Sequence, residues 1–136
     1  AGWLPRLSVL DETGVAFTGL ALAVTGTALV LVAQATMGDS WRIGVDEQER
    51  TRLVTHGVFL LVRNPIFSSM LICFAGLALM VPNVLSAAGL AVLIASLEVQ
   101  VRLVEEPYLL QSHGDEYRAY AATAGRFLPY VGRLRA

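Results

Sequence analysis

Three apolar runs separated by short polar segments dominate the chain. The first, 13–37, contains no charged residue, the second lies near 57–81 and the third near 84–104. At about 1.5 Å of rise per residue, helices of this length cross the ~30 Å hydrocarbon core of a bilayer. Pro82 and Asn83 form a tight turn signal between the last two runs. The pattern therefore predicts an all-α, multi-pass transmembrane protein with a helical hairpin.

The second run needs a particular geometry to be long enough. Its apolar part from Ile66 to Val81 is short for a full span. It becomes sufficient if the helix begins near Gly57 and is kinked at Pro65, where the ring removes a backbone donor.

Small residues in the first run predict that a neighbouring helix approaches closely, because short side chains let two backbones come together. They are Gly14, Gly19, Ala21, Ala23, Gly26 and Ala28.

Composition supports a membrane protein. Hydrophobic residues make up 55% of the 136 residues and charged residues 15%, with a mean hydropathy of +0.60. A soluble domain usually carries about 25% charged residues, and so small a globule cannot bury this much apolar surface. The net charge of −1 gives no indication of nucleic-acid binding. His56, His113 and Cys73 lack metal-ligand spacing, so no metal site is predicted.

Arginines predict the topology. The Pro82–Asn83 turn carries no charge, whereas the 38–64 loop and the 105–136 tail carry four arginines each. Positively charged loops remain in the cytoplasm, so both regions are expected on the cytoplasmic side. The pattern of the tail predicts a short amphipathic helix near Gly114–Ala124, followed by a loop. Any chemistry is then expected where the loop and the tail meet at the membrane edge.

The first polar cluster is LVTHGVFLLVRNPIF, residues 53–67. Arg63 offers a planar fork for a carboxylate or phosphate. Asn64 precedes Pro65, which pushes the Asn64 backbone out of the helical region and exposes backbone amides. A structural interpretation is equally good, since an arginine at a helix end reaches lipid headgroups and proline is common in a first helical turn.

The second polar cluster is EVQVRLVEEPYLL, residues 98–110. Glu98 and Arg102 are four residues apart, and Arg102 precedes Glu105 and Glu106 by three and four residues. Arg102, Glu105 and Glu106 are therefore expected to share one helix face. Charges at the end of a membrane helix cost free energy unless they are paired or hydrated, which favours a functional cluster. A salt-bridged helix end in the headgroup layer is the alternative.

Together the two clusters resemble the isoprenylcysteine carboxyl methyltransferase family, which is related to the phospholipid methyltransferases. LVTHGVFLLVRNPIFSSML is similar to the family motif LVT-x-G-x-Y-x-x-x-RHP-x-Y. VEEPYLLQSHGDEYRAYAATAGRFLPY is similar to the family's EE-x-x-L-x-x-x-x-G-x-x-Y-x-x-Y with its closing F-x-P. The resemblance covers roughly residues 41–130. Asn64 replaces the family's histidine, and Phe59 and Phe67 replace two tyrosines, so an imidazole and two hydroxyls are lost.

The resemblance implies methyl transfer from S-adenosyl-L-methionine, with S-adenosylhomocysteine as the product, at the cytosolic edge of the membrane. The implied acceptor is a membrane lipid or a lipidated small molecule, such as a prenylcysteine-type carboxylate. A phospholipid amine N-methyltransferase, a sterol-reductase-like NADPH enzyme and a non-catalytic membrane binding protein are the alternatives. The family usually has more spanning helices than three, so further N-terminal helices or partner chains are expected.

Carried over onto this sequence, the motifs imply three catalytic residues. Arg102 lies near the family's substrate-contacting arginine, one turn before the acidic pair. Arg63 would steady the cofactor's carboxylate or organise the loop through backbone carbonyls, and Glu106 would accept a proton from an amine acceptor. The implied cofactor-binding residues are Thr51, Arg52, Leu53, Val54, Phe59, Asn64, Pro65, Ile66, Phe67 and Glu105.

Overall fold

The computed structural model describes residues 12–38 and 52–134. Within these ranges every extended regular element is a helix, which confirms the predicted all-α class. The elements are α1 (Thr13–Met37), a 3₁₀-helix (Gly57–Leu60), α2 (Pro65–Met80), α3 (Val84–Gln100), a π-helical turn (Val101–Glu105) and α4 (Glu106–Thr123).

Helices α1 and α2 pack with their backbones in close contact. A Cβ atom added to Gly19 would lie 2.6 Å from the carbonyl oxygen of Gly76, and one added to Gly26 would overlap the backbone of Cys73. Real Cβ atoms do not approach other atoms so closely, so glycine is the residue that permits this contact. Helix α1 therefore uses its small residues to bring α2 alongside it.

The predicted small-residue contact is correct for one face of α1 only. Gly19, Ala23 and Gly26 recur at helical spacing and are buried. The remaining three predicted residues point elsewhere on the helix and are exposed. They are Gly14, Ala21 and Ala28.

The expected start of the second helix near Gly57 is wrong. The chain forms a separate 3₁₀-helix there, and α2 begins at Pro65 with 16 residues. Asn64 has φ −123° and ψ 60°, outside the helical region, because a residue before proline is disfavoured there. Proline suits a first helical position, since the backbone donor that it lacks would be unpaired anyway. Pro65 therefore begins the helix instead of kinking it.

Asn83 builds the turn between α2 and α3. Its Oδ1 accepts a hydrogen bond of 2.9 Å from the Ser86 amide, which caps α3. Ser86 Oγ donates to the Val81 carbonyl at 2.7 Å and closes the turn. Side chains of both helices also line an apolar groove of about 320 Å³, so α2 and α3 lie side by side after the turn.

Helix α3 continues further than the apolar run suggests. The helix predicted over 84–104 is α-helical only as far as Gln100. The chain then passes through the π-helical turn and enters α4 without a loop. Gly114, with φ 53° and ψ −121°, kinks α4, and glycine tolerates this positive φ. The predicted helix near Gly114–Ala124 thus corresponds to the part of α4 after this kink.

Two of the described helical segments are long and apolar enough to cross a bilayer, Thr13–Met37 and Val84–Thr123. Large apolar side chains on both point away from the rest of the chain, for example Phe17 at 67% and Val92 at 66% exposure. Such exposed apolar surface is expected of helices that face lipid.

Candidate functional site

The loop before α2 and the segment after α4 are joined by backbone hydrogen bonds. The Arg63 amide donates to the Gly125 carbonyl at 2.7 Å, and the Gly125 amide donates to the Leu61 carbonyl at 3.1 Å. A Cβ atom on Gly125 would overlap the Leu128 carbonyl, so only glycine fits this crossing. The loop before α2 and the segment after α4 therefore form one junction, although they lie far apart in the sequence.

Side chains of Asn64 and Ser68 extend this junction along the start of α2. The amide and Nδ2 of Asn64 both donate to the Arg126 carbonyl, at 3.2 and 3.1 Å. Ser68 Oγ donates to the Phe127 carbonyl at 2.7 Å. Asn64 thus takes a defined structural place where the family motif has histidine.

A buried charge cluster, formed by Arg63, Glu106 and Arg126, closes the junction. Arg63 Nη2 donates to Glu106 Oε1 at 2.6 Å. Arg126 donates from Nε to Oε1 at 2.8 Å and from Nη2 to Oε2 at 3.0 Å. The side chains of Arg63, Glu106 and Arg126 are 1%, 10% and 13% exposed. Charges removed from water to this extent require such mutual pairing.

Arg63 also binds three backbone carbonyls of the tail. Its Nη1 donates to the carbonyls of Ala121 and Ala124, and its Nη2 donates to the carbonyl of Gly132, each at 3.0 Å. Carbonyls at the end of a helix lack intrahelical donors, and an arginine satisfies them. Arg63 Nε is buried and has no partner among the described residues. Arg63 thus binds backbone carbonyls, as one of its two expected roles supposed, but these carbonyls belong to the tail and not to the loop.

Arg126 is the member of the cluster that the sequence did not single out. Its hydrogen bonds to Glu106 raise its pKa, so it remains charged. The one signal available was its place directly before the closing F-x-P block, in RFLP.

Arg102 pairs with neither member of the acidic pair, although the spacing predicts one shared helix face. Arg102 pairs with Glu98 at 2.6 Å, whereas Glu105 accepts a hydrogen bond of 3.3 Å from Gln100, five residues earlier. Glu106 points into the buried charge cluster. The π-helical turn Val101–Glu105 runs through this segment, so the α-helical spacing behind the expectation does not hold throughout it.

The loop segment before the junction has no regular secondary structure over residues 52–55 and enters the junction through Gly57. Gly57 has φ +60°, and a Cβ atom there would lie 2.9 Å from Thr36 Cγ2 at the end of α1. No backbone hydrogen bond joins residues 52–55 to another residue that the structure describes. Arg52 is exposed, Leu53 and Val54 are partly exposed, and Thr51 lies outside the described residues.

Aromatic residues form the wall of the junction next to this loop. Phe59 is buried, and its carbonyl accepts a hydrogen bond of 2.7 Å from Tyr120 Oη. Tyr120 packs edge to face on the buried Tyr117, with ring centroids 6.2 Å apart. Pro65 is buried, whereas Ile66 and Phe67 keep partly exposed surface.

The structure thus brings Arg63, Asn64 and Glu106 together and places Glu105 beside Glu106 in the chain. It leaves Arg102 on the exposed side, with 58% of its side chain accessible. Within the described ranges, no group of three or more His, Cys, Asp and Glu residues could hold a metal ion.

Several known proteins are similar to this chain. A family model described as phospholipid methyltransferase matches residues 15–116. A probable protein-S-isoprenylcysteine O-methyltransferase of Oryza sativa subsp. indica is 30% identical over 119 residues, covering 86% of this chain and 62% of that protein. Protein-S-isoprenylcysteine O-methyltransferase A of Arabidopsis thaliana is 33% identical over 115 residues, covering 83% of this chain and 58% of that protein. The chain therefore spans less than two thirds of the length of these relatives.

A solved structure has a similar fold. It is that of the eukaryotic intramembrane Ras methyltransferase, an isoprenylcysteine carboxyl methyltransferase, with a TM-score of 0.77 and 23% sequence identity. The similarity covers 95% of this chain and 47% of that protein. The helices described here thus follow the fold of about half of a larger intramembrane protein.

Proposed function

Because the chain belongs to the phospholipid methyltransferase family, we propose that it is a membrane methyltransferase that uses S-adenosyl-L-methionine. One observation carries the proposal: Glu106, from the second motif block, binds Arg63 of the first block at 2.6 Å. The two motif blocks thereby form one polar site at the end of apolar helices. The site is proposed to face the cytoplasm, as the arginines of the loop and tail predict.

The residues around the junction fit the chemical groups of the cofactor. Its adenine and amino-acid parts need backbone amides and carbonyls, which residues 52–55 offer. Its ammonium or ribose hydroxyls need an acceptor, and the half-buried Glu105 carboxylate is one. Its sulfonium cation is stabilised by aromatic faces, typically by about 0.5–2 kcal/mol, which favours contact with Phe67. Thr51, Phe59, Asn64, Pro65 and Ile66 complete the proposed binding set.

Bound S-adenosyl-L-methionine supplies an electrophilic methyl group. The chain's own contribution is then to hold the acceptor in line and to exclude water, and positioning can supply up to about 7–11 kcal/mol of the barrier. The buried charge cluster contributes by fixing the loop against the tail. Arg63 and Glu106 act in this proposal as positioning residues, since their own partners occupy Arg63 Nη1 and Nη2 and both Glu106 oxygens.

The same geometry favours a carboxylate acceptor over an amine. An amine acceptor must lose a proton, and Glu106 was the candidate base. Both of its oxygens accept hydrogen bonds from arginines, so it is a poor proton acceptor here. A carboxylate is already ionised, and Arg102 exposes a guanidinium that can bind it. We therefore propose a lipid-linked carboxylate, of the prenylcysteine type, as the acceptor.

Calorimetry with S-adenosylhomocysteine tests the cofactor assignment. Purified protein in lipid nanodiscs is expected to bind it with micromolar affinity. Replacing Glu105 by alanine should weaken this binding by about tenfold or more, since a hydrogen bond to a charged group is lost. Glu116→Ala, which removes an exposed carboxylate from α4, is the matched control and should leave the affinity unchanged.

Other outcomes of this titration identify the alternatives. Binding of NADPH without binding of S-adenosylhomocysteine would indicate a reductase on this fold. Binding of neither would favour a non-catalytic membrane protein. An unchanged affinity of Glu105→Ala would remove Glu105 from the site while leaving the methyltransferase proposal in place.

A methyl-transfer assay tests the acceptor. With labelled S-adenosyl-L-methionine, an N-acylated S-prenylcysteine should be methylated, and phosphatidylethanolamine in the same membranes should not. Methylation of phosphatidylethanolamine alone would contradict the carboxylate assignment.

A further inference from the structure

Glu98 lies outside the site described so far, yet it binds the arginine proposed to hold the acceptor. Its Oε2 accepts a hydrogen bond of 2.6 Å from Arg102 Nε. Nη1 of Arg126 lies 4.0 Å from the same oxygen. Glu98 therefore connects an arginine that is 58% exposed with one that is 13% exposed and belongs to the buried charge cluster.

The nitrogen that Glu98 engages decides what Arg102 can still bind. A guanidinium has five N–H donors in a rigid fork, and neighbouring N–H groups match the two oxygens of a carboxylate. Glu98 takes Nε, and no described residue accepts a hydrogen bond from Nη1 or Nη2 of Arg102. The two terminal nitrogens are thus left together for a second carboxylate.

We propose that Glu98 is a positioning residue, which holds Arg102 so that its two terminal nitrogens face the carboxylate of the acceptor. The inference rests on the proposed function, because it takes Arg102 as the arginine that binds the acceptor. A long exposed side chain loses rotamer freedom when it binds a ligand. A partner that already fixes Arg102 Nε reduces this loss before the acceptor arrives.

Arg126 supports Glu98 from the buried side. Both oxygens of Glu106 hold Arg126 in place, so its remaining nitrogen offers Glu98 a fixed positive charge. The orientation of Arg102 is thereby linked, through Glu98 and Arg126, to the same cluster that closes the proposed cofactor site.

Glu98 also acts on acceptor binding in the opposite direction, so the direction of the change in affinity is what must be tested. Its negative charge repels an incoming carboxylate, so its removal could strengthen binding. Two arginines already face Glu98, and the side chain is 36% exposed, so salt and water screen this repulsion. The 2.6 Å hydrogen bond from Arg102 Nε to Glu98 sets the direction of the guanidinium by its geometry, and screening of charge does not remove that geometry. Loss of Glu98 is therefore expected to weaken binding of the acceptor.

A carboxylate ligand and its methyl ester distinguish the loss of the carboxylate contact from a general loss of acceptor binding. An N-acylated S-prenylcysteine and its methyl ester are titrated into nanodisc protein saturated with S-adenosylhomocysteine. Glu98→Ala should weaken binding of the carboxylate by about three- to tenfold, the range for one hydrogen bond, and leave binding of the ester unchanged. In turnover, the KM for the acceptor should rise by the same factor with little change in kcat. Glu98→Gln should restore part of the affinity, because its amide oxygen can still accept from Arg102 Nε.

The matched control is Asp115→Ala, which removes the exposed partner of Arg118 at 2.9 Å and should change neither ligand's affinity. Unchanged or tighter carboxylate binding in Glu98→Ala, or an equal loss for carboxylate and ester, would overturn the inference. If wild-type protein binds S-adenosylhomocysteine but binds the carboxylate and its methyl ester equally well, this inference alone is overturned. Wild-type protein that binds neither the cofactor product nor the acceptor would remove the proposed function as well.

Discussion

The chain is held together in two unlike places, the α1–α2 contact and the junction between loop and tail. At the helix contact, Gly19, Gly26 and Gly76 bring two backbones together without side chains between them. At the junction, the buried charge cluster and a series of backbone hydrogen bonds hold the segments. The helix contact depends on the small size of its residues, and the junction depends on the positions of its hydrogen-bond donors and acceptors. The first provides an apolar scaffold, and the second carries the groups that can meet a polar cofactor.

The largest effect is expected at the junction. Arg63→Met leaves Glu106 with one arginine and removes the donors of three tail carbonyls, and breaking a buried ion pair costs about 3–5 kcal/mol. Thermal unfolding in detergent should show a strongly lowered midpoint, and S-adenosylhomocysteine binding should be lost. A variant as stable as wild type would show that the junction does not hold the tail.

A smaller effect is expected at the helix contact. Gly26→Ala forces a Cβ atom into the backbone of Cys73, and such overpacking costs about 1–3 kcal/mol. This destabilisation should not depend on salt concentration, because no charge is involved. The control is Gly89→Ala in α3, where an added Cβ meets nothing within 4 Å. Equal unfolding midpoints for the two variants would contradict the close packing of α1 and α2.

Ser68→Ala tests a single hydrogen bond of the junction. The variant loses the 2.7 Å bond to the Phe127 carbonyl, which is worth about 1 kcal/mol. Chemical unfolding should show this loss, together with faster proteolysis of the tail than in wild type. A loss as large as that of Arg63→Met would mean that Ser68, and not the charge cluster, fixes the tail.

The smallest effect is expected for an exposed ion pair. Arg118→Met makes the same chemical change as Arg63→Met, but Arg118 is 67% exposed beside an almost fully exposed Asp115. Pairs of this kind contribute about 0–1 kcal/mol. The unfolding midpoint should therefore stay close to that of wild type. A large destabilisation here would show that burial does not distinguish the two arginines.

Much of this architecture was predictable from the sequence, because it is determined by local pattern. The apolar runs predicted the three long helices, except for the start of the second, and two motif blocks indicated the loop and the tail as the candidate site. Glycines at helical spacing, Gly19 and Gly26, predicted the close helix contact. Asn83 and Pro82 marked the turn that the structure contains.

The remaining features depend on contacts that spacing does not reveal. Arg126 meets Glu106 across 20 residues, and no periodicity links the two. Arg102 keeps the expected i,i+4 pair with Glu98. It pairs with neither Glu105 nor Glu106, and the π-helical turn between them departs from the unbroken α-helix that i+4 reasoning assumes. The predicted start of the second helix near Gly57 is wrong because proline suits a first helical position as well as a kink, and Pro65 begins α2.

Hydrogen–deuterium exchange with and without S-adenosylhomocysteine tests the central claim most directly, that loop and tail together bind one cofactor. Ligand should slow exchange of amides both in residues 52–67 and around Glu105. Amides at the Val81–Ser86 end of the hairpin should exchange as before. Protection of only one of the two segments, or of the hairpin turn instead, would contradict a shared site at the junction.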